Sequence, residues 1–549
     1  MVGFASRERV AVRARARVSV VFAVALGVGV FVSARAHARP ELALDVHVLK
    51  APGRVLDVAY GDMDGDGRED LVVAHLKGDE RDENGAPRRY VSVFKQGTGK
   101  DRWSPLPAVT RPVPADAIAF AVGDFDAKKG DDVVFVGARW ITLLSKGKDG
   151  SLLGEVAQVA SIDGFYEYPA NAVLPRWDLA VDLGSGRKDL LAPIKSGYVV
   201  FKNDPRKGLV RGSVIQVPSR ERFGPPFETK FLNRFLTYFS SMPKLCAIDL
   251  DGDKRKDLVV YRDRGLARFL QKPDGTFGEK PDDEKPLQVV AEAGKRGKGK
   301  RGGGGADGGG KDSEQFANVR LSLVDLDQDG FADLVATKTI GEIGVFETLR
   351  TQIMIWRGSK AGWNEAAPDR VIGQKGVATD PEFLDVDGDG KLDLVLSSLR
   401  MDYFTNVKRA ITSSITITYS IYLQKDGFFG DEPDFTRDVS LDLDAIERRN
   451  GADNVSFEAD LDGDKVHDMI VRSERGKLKV VPGAWDSGFF SGKTLVFKDD
   501  DAVTVDVPPN ADLEVHDFYK DGKGDALVLT CPGPEDPEKE TVRIIEARR

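Results

Sequence analysis

Eight times between residues 62 and 525, an aspartate-rich stretch runs straight into a short β-branched run, at intervals of 57 to 76 residues. Repetition at that period marks a chain of similar supersecondary units, each burying its apolar surface only against its neighbours. The most complete copy is DMDGDGREDLVV, with Asp62, Asp64, Asp66 and Asp70 at positions 1, 3, 5 and 9. Carboxylates this dense repel one another unless a hard cation sits among them. A single feature therefore bears on both architecture and chemistry.

Five loops keep the whole pattern D-x-D-x-D-x-x-x-D. After Asp62/Asp64/Asp66/Asp70 come Asp249/Asp251/Asp253/Asp257, Asp325/Asp327/Asp329/Asp333, Asp385/Asp387/Asp389/Asp393 and Asp460/Asp462/Asp464/Asp468. The odd positions put side-chain oxygens on one side of a tight loop, and position 7 (Arg68, Arg255, Phe331, Lys391, Val466) offers its backbone carbonyl. Glycine at position 4 or 6, as at Gly65 and Gly67, permits the positive φ such a loop needs. Six or seven oxygens around one ion suit Ca2+ better than Mg2+, so about five calcium sites are expected. An EF-hand is excluded at position 12, which is Val73, Val260, Ala336, Leu396 and Val471 rather than the bidentate glutamate. The flanks also read as strands, not helices.

Three loops are eroded. DFDAKKGDDVV keeps Asp124, Asp126 and Asp132 but has Lys128 at position 5, where an ammonium replaces the metal's charge. In DLGSGRKDLL, Asp182 and Asp189 stand one residue too close, with Ser185 the only other oxygen donor. DFYKDGKGDALVL keeps Asp517, Asp521 and Asp525 with Tyr519 at position 3, a weak metal site.

The combination of apolar strand, D-x-D-G-D-G-x-x-D and DLVV resembles the FG-GAP/VCBS repeats of integrin α-subunit propellers and of many secreted bacterial proteins. That resemblance implies an all-β fold, a single β-propeller whose four-stranded blades each carry the calcium loop between the first and second strands. The residues support this independently. Each loop is followed by a second strand and then a third, such as YVSVFKQG or TQIMIWRG. After the eighth loop only ALVLT and TVRIIEA remain, while LALDVHVLK at 42–50 has no blade of its own. Pairing the two ends would close the ring and remove open sheet edges. Eight blades are expected, with seven as the alternative because the third repeat is so degraded.

The first 38 residues read as a secretory signal peptide: Arg7, Arg9, Arg13, Arg15 and Arg17, then VSVVFAVALGVGVFVSA, then A-x-A sites ending at Ala36 and Ala38. Residues 39–549 form the propeller, and the protein is expected to be secreted or periplasmic, with no transmembrane segment after cleavage. The net charge of −9 includes that basic leader, so the remainder is more acidic still, which argues against nucleic acid. Cys246 and Cys531 lie in distant repeats and are not expected to pair, and the five histidines form no zinc or iron motif.

In a propeller the loops joining first to second and third to fourth strands share one face. Long excursions at 75–89, 337–350, 397–412, 219–244 and 292–317 therefore fall on the other, which becomes the candidate binding face for a protein or polysaccharide. There, Phe223, Phe227, Phe231, Phe235 and Phe239 recur every four residues with Arg222, Lys230 and Arg234 between them. This spacing predicts a short amphipathic helix packed onto the ring, the alternative being an exposed platform for an acidic sugar or a partner protein. The Gly/Lys-rich insertion 292–315 is expected to be disordered.

No G-x-S-x-G elbow, P-loop or dinucleotide fingerprint is present. The leading expectation is an exported, calcium-stabilised binding or adhesion module without catalysis. The alternative is a carbohydrate-active enzyme, such as a polysaccharide lyase on an eight-bladed propeller, with His75 and Arg400 near the candidate face.

Overall fold

In a computed structural model the described residues lie between 42 and 548; those outside the description are 1–41, 83–84, 100–101, 127, 148, 166–172, 179, 225–236, 263–264, 294–317, 341–348, 400–413, 426, 443–453, 473, 489–491, 520–524 and 549. Eight antiparallel sheets form a ring, an eight-bladed β-propeller, so eight is right and seven is not. The degraded third repeat still folds as a blade, with Ala180–Asp182, Lys188–Ile194, Gly197–Asp204 and Gly208–Gln216 in order. Strands are named A to D below, from inside outwards.

The ring closes as the chain ends suggested. Blade 8 takes Asp512–His516, Ala526–Thr530 and Thr541–Ala547 as its A, B and C strands, and the N-terminal Leu44–Lys50 as strand D. The pairing runs without a bulge from Leu44 opposite Ala547 to Lys50 opposite Thr541. His47 Nε2 lies 2.9 Å from Glu546 Oε1, and Arg548 donates to Asp45 at 2.8 Å, so polar pairs flank the apolar closure.

The core is divided. Each apolar cluster sits between two adjacent blades: Val72, Val91, Phe120 and Phe135 between blades 1 and 2, and Leu71, Val73, Phe94 and Ile544 between blades 1 and 8. Successive strand residues point to opposite faces, and both faces of strand B are covered by neighbours. That explains why the runs after the loops are continuously apolar (LVV, LVVY, LVL) instead of alternating. Asp70–Arg81, the second strand of blade 1, sends Leu71 and Val73 towards blade 8 and Val72 and Ala74 towards blade 2.

Two expectations about insertions change. The stretch 75–89 is largely strand, because Asp70–Arg81 and Pro87–Phe94 continue pairing well beyond the sheet's other strands. At the phenylalanine stripe, Arg220–Gly224 pairs antiparallel with Thr237–Ser241, setting Phe223 opposite Tyr238 and Arg222 opposite Phe239. The two ends of the stripe are therefore strand and not helix, since ladder pairing outweighs the helical spacing there; Phe227, Phe231 and Phe235 lie outside the described residues. Most of 292–315 also lies outside them, after a short helix Gln288–Ala293. Both cysteines are free. Among the described residues no helix is long and apolar enough to cross a membrane.

Candidate cation-binding loops

Each complete loop is a turn wound on its own carboxylates. The position-1 aspartate accepts the backbone N–H of position 6 in all five: Gly67 to Asp62 at 2.8 Å, Lys254 to Asp249 at 2.7 Å, Gly330 to Asp325 at 3.0 Å, Gly390 to Asp385 at 2.9 Å and Lys465 to Asp460 at 2.8 Å. The position-5 aspartate accepts the N–H of position 7, as from Arg68 to Asp66, Arg255 to Asp253, Phe331 to Asp329, Lys391 to Asp389 and Val466 to Asp464, all within 3.0 Å. This winding requires left-handed backbone at positions 4 and 6. Glycine supplies it at Gly65, Gly67, Gly388 and Gly390, whereas Lys254, Gln328 and Lys465 adopt φ of 69°, 57° and 75° despite their side chains.

Position 9 has a second job that the sequence did not reveal. It opens strand B, is at most 2 % exposed in every complete loop, and clamps two turns together. Asp393 accepts the N–H of Val386 in its own loop at 3.0 Å and that of Gln424, just beyond strand C, at 2.8 Å. Asp70 does the same with Met63 and Gln96, Asp257 with Leu250 and Gln271, Asp333 with Leu326 and Gly358, and Asp468 with Leu461 and Gly483. The A–B loop and C–D turn of each blade thus share one face.

Beside these backbone bonds, the carboxylates of the loops converge on one another. Carboxylate oxygens of Asp62/Asp64/Asp66, Asp249/Asp251/Asp257, Asp325/Asp327/Asp333 and Asp385/Asp387/Asp393 lie within 4.8 Å of one another, a grouping that could hold a metal ion. In blade 7 the expected ligand Asp462 stands at position 3 of the same pattern. Its Oδ1 accepts the N–H of Asp464 at 3.2 Å, and its negative charge adds to burial in raising the clamp residue Asp468. Asp462 is therefore half-buried at position 3 and close to its clamp, with the loop's backbone already taking one of its oxygens.

Oδ1 of Asp325, Asp327 and Asp385 is buried without a hydrogen-bond partner, a costly state that a cation would relieve. Burial also pushes Asp70, Asp393 and Asp468 up to about 7, and Asp257 and Asp333 to about 6. The donor set is all oxygen and fits a hard cation. Some loops soften their charge with a local cation: Lys391 pairs with Asp389 at 2.9 Å, and Arg68 and Arg255 pair with Asp66 and Asp253.

Strand pairing revises two eroded loops. Position 0 faces position 9 in the complete loops, as Gly61 faces Asp70 and Leu384 faces Asp393. In blade 3, Val181 faces Asp189, so that aspartate occupies the clamp position despite its short spacing and accepts from Asn203 N–H at 2.7 Å. In blade 8, His516 faces Ala526, so this loop is one residue longer and Asp525 precedes the clamp position. Asp525 instead reaches back to blade 7, accepting from Asp460 N–H at 2.6 Å. Tyr519 donates its hydroxyl to Glu546 at 2.6 Å, and Asp521 lies outside the described residues. Of the weak site's three aspartates, the structure places Asp517 and Asp525 and gives Asp525 a structural partner.

The residue just before the clamp links neighbouring loops around the ring. Asp131 of blade 2 accepts from Asp62 N–H at 2.8 Å, Ala332 N–H donates to Asp249 O at 3.1 Å, and Glu69 Oε2 lies 2.6 Å from His516 Nε2. Side-chain amides beyond strand C add to this, with Gln271 donating to Leu183 O and Gln424 to Leu326 O.

Away from the loops, polar groups meet at the inner strands of blades 1 and 8. Arg176, from the connection between blades 2 and 3, donates its backbone N–H to Asp57 at 2.7 Å and its guanidinium to Glu514. Tyr60 donates to Glu514 at 2.7 Å and stacks on His516 at 3.7 Å. Burial, together with Glu514, drives the Tyr60 phenol far above its ordinary range. His75 is not at this surface. It is fully buried in blade 1, with Nε2 2.9 Å from Ser92 Oγ, and burial lowers its pKa to about 4. Arg400 lies outside the described residues.

A family model described as an FG-GAP-like repeat matches residues 325–396, from position 1 of the fifth loop to strand B of blade 6. The chain is an eight-bladed β-propeller that carries an FG-GAP-like repeat. No curated protein sequence matches it. Solved structures similar to this propeller include an Agrocybe aegerita lectin recognising non-reducing terminal N-acetylglucosamine (14 % identity, 74 % of this chain and 97 % of that chain, TM-score 0.36). The biofilm matrix protein Bap1 of V. cholerae aligns at 12 % identity over 93 % of this propeller and 89 % of that chain, TM-score 0.35. The exotype rhamnogalacturonan lyase YesX aligns at 12 % identity over 92 % and 74 %, TM-score 0.35. Similarity at this level carries no argument about ligand or reaction.

Proposed function

We propose that this propeller is an exported binding module whose A–B loops hold calcium, and which presents the opposite face to a protein or polysaccharide without performing catalysis. The observation that carries the calcium part is the set of buried, unpartnered oxygens at Asp325, Asp327 and Asp385 inside loops whose other oxygens are already fixed by backbone N–H groups. Such a cage offers only oxygen, with five copies of the same donor pattern, Asp62 through Asp70 being the first. The binding part is supported by the division of the blade. Carboxylate clamps and inter-blade bonds tie one face together, which leaves the other free to vary. The inner-strand groups satisfy one another, Arg176 and Tyr60 both being committed to Glu514, which favours a structural role over an acid–base one.

Calcium is tested by counting ions on the purified protein and comparing Ca2+ with Mg2+ in thermal unfolding. Stabilisation by Mg2+ equal to that by Ca2+ would sink the assignment. Catalysis is tested by incubating the protein with acidic polysaccharides and following absorbance of unsaturated products; a steady rise would replace the binding reading with a lyase. Export is tested by N-terminal sequencing of the protein from its native host, with cleavage after Ala36 or Ala38 expected.

A further inference from the structure

The blade 2 loop looks at first like another cation site, because carboxylate oxygens of Asp124, Asp126 and Asp132 also lie within 4.8 Å of one another. Its surroundings differ. Arg187, projecting from the blade 3 loop, grips both oxygens of Asp124 at 2.7 and 2.9 Å. The same guanidinium donates to the backbone carbonyls of Asp124 at 3.2 Å and Asp126 at 2.7 Å, while its Nε reaches Asn203 Oδ1 at 3.2 Å. Lys128, at position 5, donates to Asp126 Oδ2 at 2.7 Å. Asn203 adds a bond from its amide to Asp124 O at 2.5 Å. Two carboxylates and two carbonyls, the oxygen types a calcium loop needs, are thus already engaged by fixed positive groups.

The contrast with the complete loops is specific. There, the pairing cations sit on position 5 or 3, as with Arg68 on Asp66 or Lys95 on Asp64, and come from the same blade. At blade 2 the position-1 carboxylate itself is held bidentately, and by the next blade. A planar guanidinium matches a carboxylate in this fork geometry and cannot be deprotonated or chelated away.

We propose that Arg187 and Lys128 are the built-in cations of the blade 2 loop, so that the seam between blades 2 and 3 is closed by side chains where the loops of blades 1, 4, 5, 6 and 7 use a bound ion. The blade 2 loop then stays closed whatever the cation concentration, in contrast to those five loops.

The test uses the intact protein first. Hydrogen exchange with and without chelator should leave residues 124–132 equally protected, while 385–393 loses protection; equal loss at both would overturn the proposal. Terbium titration of variants gives the second reading. Lys128→Asp completes the D-x-D-x-D-x-x-x-D pattern yet should add no terbium site while Arg187 remains, and Lys128→Asp with Arg187→Gln should add one. A site gained by Lys128→Asp alone removes Arg187 from the account, and no gain in the folded double variant removes both residues.

The contrast between loops rests on the calcium reading, which fails by itself if chelation changes exchange at neither loop. Arg187 is then judged separately, by its effect in chelator. There, Arg187→Gln should lower the unfolding midpoint by several degrees, and an unchanged midpoint would overturn its role.

Discussion

In the blade 6 loop, Asp385, Asp387 and Asp389 each give one oxygen to the loop's own backbone, and Asp385 keeps a buried oxygen with no partner. In blade 3 a single carboxylate, Asp182, accepts the N–H groups of Gly184, Ser185 and Gly186, and the turn is complete without further acids. Both loops end on the same device, a buried aspartate at the start of strand B that holds the C–D turn: Asp393 through Gln424 N–H and Asp189 through Asn203 N–H. The clamp therefore does not depend on a full set of acids, and the capacity to hold a cation is a separate property of loops that crowd several carboxylates together.

The strongest way to break this comparison is to remove the ions. Chelation should lower the thermal midpoint by on the order of 10 °C or more, because several ions that bind only the folded state each stabilise it by mass action. A midpoint that does not move would make the two kinds of loop equivalent. Next in size are the clamps. Asp393→Ala strands two buried N–H groups and should cost about 2–5 kcal/mol in calcium, less in chelator, as measured by denaturant unfolding. Asp189→Ala should cost about 1–3 kcal/mol and the same amount in both conditions. If Asp189→Ala were also calcium-sensitive, blade 3 would belong with blade 6.

Acid separates the loops from the opposite end of the blade. His75 has a folded pKa of about 4, below its ordinary value of 6.5, because burial disfavours the charged ring. Its contribution is complete above the ordinary value and is lost as pH falls through 4, amounting to about 3 kcal/mol at most. In chelator, His75→Gln should therefore flatten the decline in stability between neutral pH and about 4, whereas wild-type protein in calcium should decline more steeply because acid also displaces the ions. An identical pH profile for the variant would show that His75 is not held neutral. The smallest effects test the winding of the loop. Lys254→Gly relieves a left-handed residue and should add about 0.5–1 kcal/mol, while Gly390→Ala, at φ 86° with open space around it, should remove about 1 kcal/mol.

Much of this architecture is legible in one dimension. The repeat period, the lone segment at 42–50 and the short final repeat lead to eight blades and to a ring closed by the chain ends, which pair as Leu44 with Ala547. Charged oxygens at odd positions of a nine-residue turn are a local pattern, and local patterns survive without knowledge of neighbours. The misreadings share one cause. Asp189 looked misplaced because spacing was counted along the chain, whereas strand pairing sets which residue stands opposite position 0, and the same pairing puts Asp525 one residue before the clamp position. His75 looked close to an open face because its hairpin reads as a loop, yet the extended strands bury it beneath Tyr90 and Ser92.

The sequence by itself determined that this chain repeats, that its repeats are strands joined by acidic turns, and that five of those turns crowd enough oxygen for a hard cation. Only the tertiary structure decided which aspartate clamps and which links blades, and that Arg187 fills the loop of the blade before its own. The physical reason is range: carboxylate repulsion acts within nine residues, whereas register and inter-blade hydrogen bonds join groups tens to hundreds of residues apart, and only the closed ring brings them together.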